Sequence, residues 1–166
     1  MVIYLQVMID QIKEIVEYAL YKVDAYSDDA LVLVVRTGMA ESGYRALKGY
    51  GKGNPAIGFF QIEPATMNDM IDNYIKYRSH YKKNLVSLGM NFQKDTIMSV
   101  MSNIAVQAAL CRILYRRDKD PIPSWDDLEG QAKYWKRVYN TELGRGTVKH
   151  FIKANEDDGF DKSSFK

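Results

Sequence analysis

Glu41 stands at the end of the apolar run ALVLVVRTGMA, residues 30 to 40, and a glycine-rich stretch follows it. A carboxyl group delivered to the edge of a core has its charged form disfavoured, so its pKa rises. It can then stay protonated near neutrality, as a general acid must in order to protonate a leaving oxygen such as that of a glycoside. A second cluster, GFFQIEPAT, occupies residues 58 to 66. Gln61 lies there among Phe59, Phe60 and Ile62, and a carboxamide in apolar surroundings must find hydrogen-bond partners. Its donors and acceptors suit a sugar lined up against Glu41, and Gly58 permits close approach of a ligand or backbone. Each feature also has a plain reading: a solvated helix end for Glu41, and core packing ahead of a helix start at Pro64 and Thr66 for the second cluster.

Other chemistries fit less well. The GYGKGN stretch lacks the Gly-Lys-Ser/Thr ending of a phosphate loop. His80 and His150 are far apart with no ligand pattern beside them, which argues against zinc and leaves no metal or cofactor expected. Cys111 falls on an apolar helix face, as a small buried residue would. Ser42 has neither the preceding glycine of a nucleophile elbow nor a nearby histidine.

The elements that must position Glu41 can be read from periodicity. Leu5, Ile9, Ile12, Val16, Ala19 and Val23 recur at helical spacing and predict an amphipathic first helix. Ser27-Asp28-Asp29 offers a cap for a second helix; the β-branched run from Ala30 to Val35 would also suit a buried strand, but the cap favours a buried helix. Five glycines, one proline and two tyrosines from Gly43 to Gly58 predict a loop or irregular hairpin. Pro64 opens a helix whose face is Met67, Met70, Ile71, Tyr74 and Ile75, running to about His80. Residues 81 to 94 show no period and read as an exposed connector.

Asp95 can cap the next helix, with Ile97, Val100, Met101, Ile104, Ala108, Cys111 and Ile113 or Leu114 inward. Ser124 with Asp127 resembles a capping box ahead of Trp125, Leu128, Ala132, Trp135 and Tyr139. A short helix around Val148 to Ala154 precedes a polar tail, residues 155 to 166, expected to be frayed or disordered.

With 166 residues, nearly half of them apolar, the chain suits one domain, here residues 1 to 154. A net charge of +2 gives no nucleic-acid footprint. One cysteine excludes an internal disulfide. The first residues, MVIYLQVMIDQIKE, lack the basic start of a secretory signal, and Asp10 interrupts their apolar run. The expectation is cytoplasmic synthesis without membrane insertion. Nothing demands more than a monomer.

The Glu41 and Gln61 clusters together resemble the lysozyme-like lytic transglycosylases of the soluble lytic murein transglycosylase type. The family's Glu-Ser-x-aromatic motif is matched by Glu41-Ser42-Gly43-Tyr44. Its Gly-Leu-Met-Gln-Leu/Ile-x-Pro-x-Thr motif is matched by Gly58 to Thr66, with Phe59 and Phe60 in place of Leu-Met. Asn103-Ile104 is similar to the start of its third motif, with Gln107 where glycine is usual. Tyr139-Asn140 is similar to the centre of its last one, with Val138 and Thr141 in place of alanines. The similarity spans roughly residues 28 to 150.

The resemblance implies a mainly α fold, α+β only in the lysozyme-like sense, and a peptidoglycan glycan strand as the partner. It implies Glu41 as the catalytic acid and then base, and Ser42 as an organiser of the helix end. Tyr139 would hold Glu41 or the substrate's acetamido group through its hydroxyl. Gln61, Phe60, Tyr44 and Asn140 would contact sugar. With the short chain and the absent signal, the expectation is a phage-encoded or secretion-associated version, delivered to the wall from a virion or secretion apparatus. Three readings compete with it. A hydrolase would need a water-activating carboxylate such as Asp69, Asp72 or Asp95; the others are a non-catalytic wall-binding virion protein and a helical interaction module.

Overall fold

A computed structural model describes residues 2–49 and 52–165, with side chains from Gln6 onward, so the predicted core residue Leu5 has its side chain outside the described residues. The first helix, α1 (Val2–Lys22), buries Ile9, Ile12, Val16 and Ala19 at the spacing the sequence predicts. The chain reverses at Asp24, whose φ is 53°, and enters α2 (Asp28–Ser42). Ser27 caps it, its hydroxyl accepting from the Ala30 amide at 3.1 Å, and Asp28 and Asp29 sit in the first turn, where the helix dipole favours negative charge.

From Ala30 to Val35 no side chain of α2 is more than 2% exposed. A helix that is apolar all round belongs in the middle of a core, which is why its β-branched run does not become a strand. Gly38 inside it serves contact: a Cβ there would lie 2.5 Å from the Tyr44 ring. Gly43 ends the helix in the left-handed region, with φ 56° and its N–H on the Met39 carbonyl.

Between α2 and Ile62 the described residues, 43–49 and 52–62, are irregular with two isolated antiparallel bridges, Lys48 with Ile57 and Ile57 with Ile62; among the described residues there is no extended strand. Pro64 then opens α3 (Pro64–Asn73). That helix stops short of the expected His80: a 3₁₀ turn (Ile75–Tyr77) follows, then α4 (Ser79–Leu88). Much of the presumed connector 81 to 94 is therefore helical. Tyr81, Leu85 and Leu88 bury one face, a period diluted in the sequence by the lysines and Asn84 between them.

The single helix expected from Asp95 is two. α5 (Thr96–Met101) leaves Ile97 45% exposed, and Asp95 makes no side-chain cap. Asn103 caps α6 (Ile104–Arg116), accepting from the Val106 amide at 3.1 Å while donating to the Leu88 carbonyl. Residues Val106 to Tyr115 of α6 are buried, Cys111 among them.

Asp127 alone caps α7 (Leu128–Trp135). Trp125 lies ahead of the helix, its amide on the Asp29 carboxylate at 2.7 Å. A π turn (Lys136–Asn140) continues α7, and α8 (Val148–Asn155) packs on α2 and α7. The α1, α6, α7 and α8 helices all contact other helices around or beside α2 in one core.

The polar tail is folded back onto this core. Asp158 pairs with buried Arg36 at 2.6 Å, and Arg36 also donates to the Trp125 carbonyl and Gln131. Phe165 packs on the Trp125 ring, and Lys13 bonds the Ser164 carbonyl. A polar composition concealed this because the anchor is a buried cation supplied by a distant helix. Among the described residues, no helix is long and apolar enough to cross a membrane.

Candidate active site

Glu41 occupies the last turn of α2, where burial and the negative end of the helix dipole both disfavour a carboxylate. Burial pushes its pKa from 4.5 up to about 7, and a hydrogen bond from the Trp135 indole, Nε1 to Oε1 at 3.0 Å, works the other way. The group opens on a cleft of about 850 Å³. One side of the cleft is built by residues 52 to 56 with Gln61, Glu63 and Thr66, the other by Trp135, Tyr139, Asn140 and the 141–146 loop. A carboxyl group whose pKa burial raises toward neutrality is suited both to giving a proton and to taking one back.

Ser42 joins the end of α2 to the turn that follows. Its hydroxyl donates to the Phe59 carbonyl at 2.6 Å and accepts from the Tyr44 amide at 3.1 Å, fastening the turn to α2. Gln61 and Asn140 both line the cleft. The Gln61 amide closes its own turn on the Gly58 carbonyl at 2.8 Å, and the Asn140 oxygen accepts from Lys136 at 2.8 Å.

Three expected roles need correction. Phe60 is fully buried and cannot stack on a sugar. Tyr44 is 3% exposed, with its hydroxyl on the Val35 carbonyl, and packs edge-on against Phe59 and Phe60. The cause is the turn itself. Left-handed residues at Gly58 (φ 73°) and Gln61 (φ 49°) swing the Phe60 ring into the core. Tyr139 lines the cleft, but its hydroxyl donates to the Phe60 carbonyl at 2.6 Å and does not hold Glu41.

Sequence reasoning missed Trp135 as a site residue by placing it in an apolar stripe. The stripe is real, since Trp135 is 1% exposed, but one edge of the ring reaches the carboxylate. The signal was its placement four residues before Tyr139, one helical turn away on the same face. Also missed was His150, which lines the cleft and pairs its Nε2 with the Ala40 carbonyl at 2.8 Å. Gln107 clamps the turn at Gly58. Its side chain accepts from the Phe59 amide at 2.8 Å, donates to the Val100 and Met101 carbonyls, and fills the space above Gly58, where a Cβ would come within 2.6 Å of it.

Asp69, Asp72 and Asp95, the candidates for a second carboxylate, do not line the cleft; Asp69 is paired with Arg117 at 2.7 Å. Glu63 does line it. Among the described residues no group of three or more histidine, cysteine or acidic side chains could hold a metal ion. Comparison with protein-family models, curated proteins and solved structures gave no match to this chain.

Proposed function

We propose that the protein is a peptidoglycan lytic transglycosylase of lysozyme-like fold, cleaving the β-1,4 bond between N-acetylmuramic acid and N-acetylglucosamine. The observation that carries this reading is the place of Glu41, a carboxyl group at the end of a buried helix that opens on the cleft and whose pKa burial raises. The irregular bridged turn that follows α2, and the match of Glu41-Ser42 and Gly58 to Thr66 to the family's motifs, support the same fold and reaction. Glu41 gives its proton to the glycosidic oxygen as the bond to the muramic anomeric carbon breaks. The C6 hydroxyl then attacks that carbon and returns its proton to Glu41, closing a 1,6-anhydro ring without consuming water. Stabilisation of the anomeric charge by the substrate's acetamido group relaxes the need for a facing carboxylate.

One observation favours a second reading. Glu63 shares the cleft and could activate water, which would make the enzyme a muramidase. Mass spectrometry of soluble products from purified peptidoglycan separates the two. Anhydro-ended muropeptides that disappear with Glu41→Gln establish the transglycosylase. Reducing-end products move the assignment to hydrolysis, with Glu63→Gln as the next variant. General acid catalysis is worth about 10²–10⁴-fold, so a Glu41→Gln protein retaining more than about a tenth of the activity overturns both.

A further inference from the structure

The Trp135 indole touches Glu41, yet neither reaction above uses it. An indole N–H only donates, and a donor binds the ionised carboxylate more strongly than the neutral acid. The 3.0 Å bond from Nε1 to Oε1 therefore favours the charged form, against the burial that disfavours it. Burial alone would leave little of Glu41 ionised to act as a base, and the bond alone would leave little of it protonated to act as an acid.

The ring has little freedom. Phe151 packs on it with centroids 5.1 Å apart. At its far edge lies Gly146, where a Cβ would come within 2.5 Å of Cη2 and 2.8 Å of the Asn140 amide nitrogen. Gly146 is not among the residues of positive φ, so its backbone would accept another residue, and contact with the ring is what excludes one.

The other titratable and charged groups around Glu41 come from several elements. They are His150 on α8, Tyr139 on the π turn, Cys111 and Tyr115 on α6, and Lys52, Glu63 and Arg145 along the cleft. Among the described residues the hydrogen bond to the Glu41 carboxylate comes from Trp135, while His150 bonds the Ala40 carbonyl and Tyr139 the Phe60 carbonyl.

We propose that Trp135, seated by Gly146, is a positioning residue that fixes the orientation of the Glu41 carboxylate and balances its charged form against burial. This rests on Glu41 being the acid and base of the proposed reaction, but it can be tested without that reaction. The direct test replaces Trp135 site-specifically with 3-benzothienylalanine, which keeps the ring shape and exchanges the N–H for sulfur. The ¹³C titration of the Glu41 carboxyl is followed by NMR in the full chain, its signal assigned by loss in Glu41→Gln.

The midpoint reads the difference between the bond to the charged form and that to the neutral form, so it should rise by about one pH unit. An unmoved midpoint overturns the proposal. Gly146→Ala should move the same midpoint by displacing the ring, and an unmoved midpoint there removes Gly146 from the role. A purely structural part for either residue would lower the Tm and leave the titration in place. With active protein, the alkaline limb of kcat/KM should follow the midpoint upward. Absence of muropeptide products from the wild-type chain would count against the proposed reaction and leave the titration result standing.

Discussion

The segments 52 to 63 and 141 to 146 each contribute residues to the cleft, and they are held by different means. The first segment is sewn into the core: Phe60 is fully buried, Ile57 and Ile62 are nearly so, and three backbone groups are gripped by distant side chains. Ser42 takes the Phe59 carbonyl, Gln107 the Phe59 amide and Tyr139 the Phe60 carbonyl. The second segment rests on one ammonium group. Lys136 Nζ donates to the Asn140 side chain and to the Thr141 and Gly144 carbonyls, all within 2.9 Å. Leu143 at its tip is 98% exposed. A segment built from apolar burial is rigid and costly to alter, whereas one held at the surface by a single half-buried cation opens locally at lower cost.

The contrast breaks most sharply at Phe60. Phe60→Ala should destabilise the protein by about 3–5 kcal/mol in denaturant unfolding, and a loss under about 1 kcal/mol would mean that the first wall is not anchored in the core. Between the walls, Glu41 itself opposes folding once ionised. Its ordinary pKa of 4.5 becomes about 7 in the folded chain, so the folded state holds the proton more tightly between those values. With respect to this group stability should be greatest below pH 4.5, fall by on the order of 3 kcal/mol as pH rises from there to about 7, and level off above it. Glu41→Gln should flatten that slope in unfolding measured across pH.

Gln107→Leu keeps the bulk but strands the Phe59 amide and the Val100 and Met101 carbonyls. We expect about 1–3 kcal/mol of lost stability, and a neutral result would show that the turn holds without its clamp. Lys136→Met should be the mildest globally, within about 1 kcal/mol. Limited proteolysis should nonetheless become faster near Leu143, and unchanged cleavage there would make the two walls equivalent.

The parts of the site legible in sequence are those fixed by local rules. Ser27 announced the start of α2, the apolar run marked it as buried, and Glu41 followed at its end. What stayed hidden depends on distant partners or on chain direction. The Trp135 indole meets a carboxylate 94 residues away in sequence, and its place in an apolar stripe was sufficient to account for it. Phe60 and Tyr44 were assigned to the cleft because they adjoin the motifs. Only the paired left-handed turns at Gly58 and Gln61 decide which way the Phe60 ring points. The ordered tail was invisible for a related reason: Arg36, its buried anchor, reads as an interruption in an apolar helix until Asp158 is placed beside it.

The Trp135–Glu41 contact also has an optical consequence. The chain contains two tryptophans, and the second, Trp125, lies against Phe165 of the folded tail, with ring centroids 5.0 Å apart. One indole thus shares a hydrogen bond with a carboxyl group that gains and loses its proton near pH 7, while the other packs beside an aromatic ring. We expect the emission of Trp135 to change with the charge on Glu41 and to lose that dependence in Glu41→Gln. Fluorescence followed across pH in the two proteins would then report the protonation of Glu41 without label, substrate or turnover.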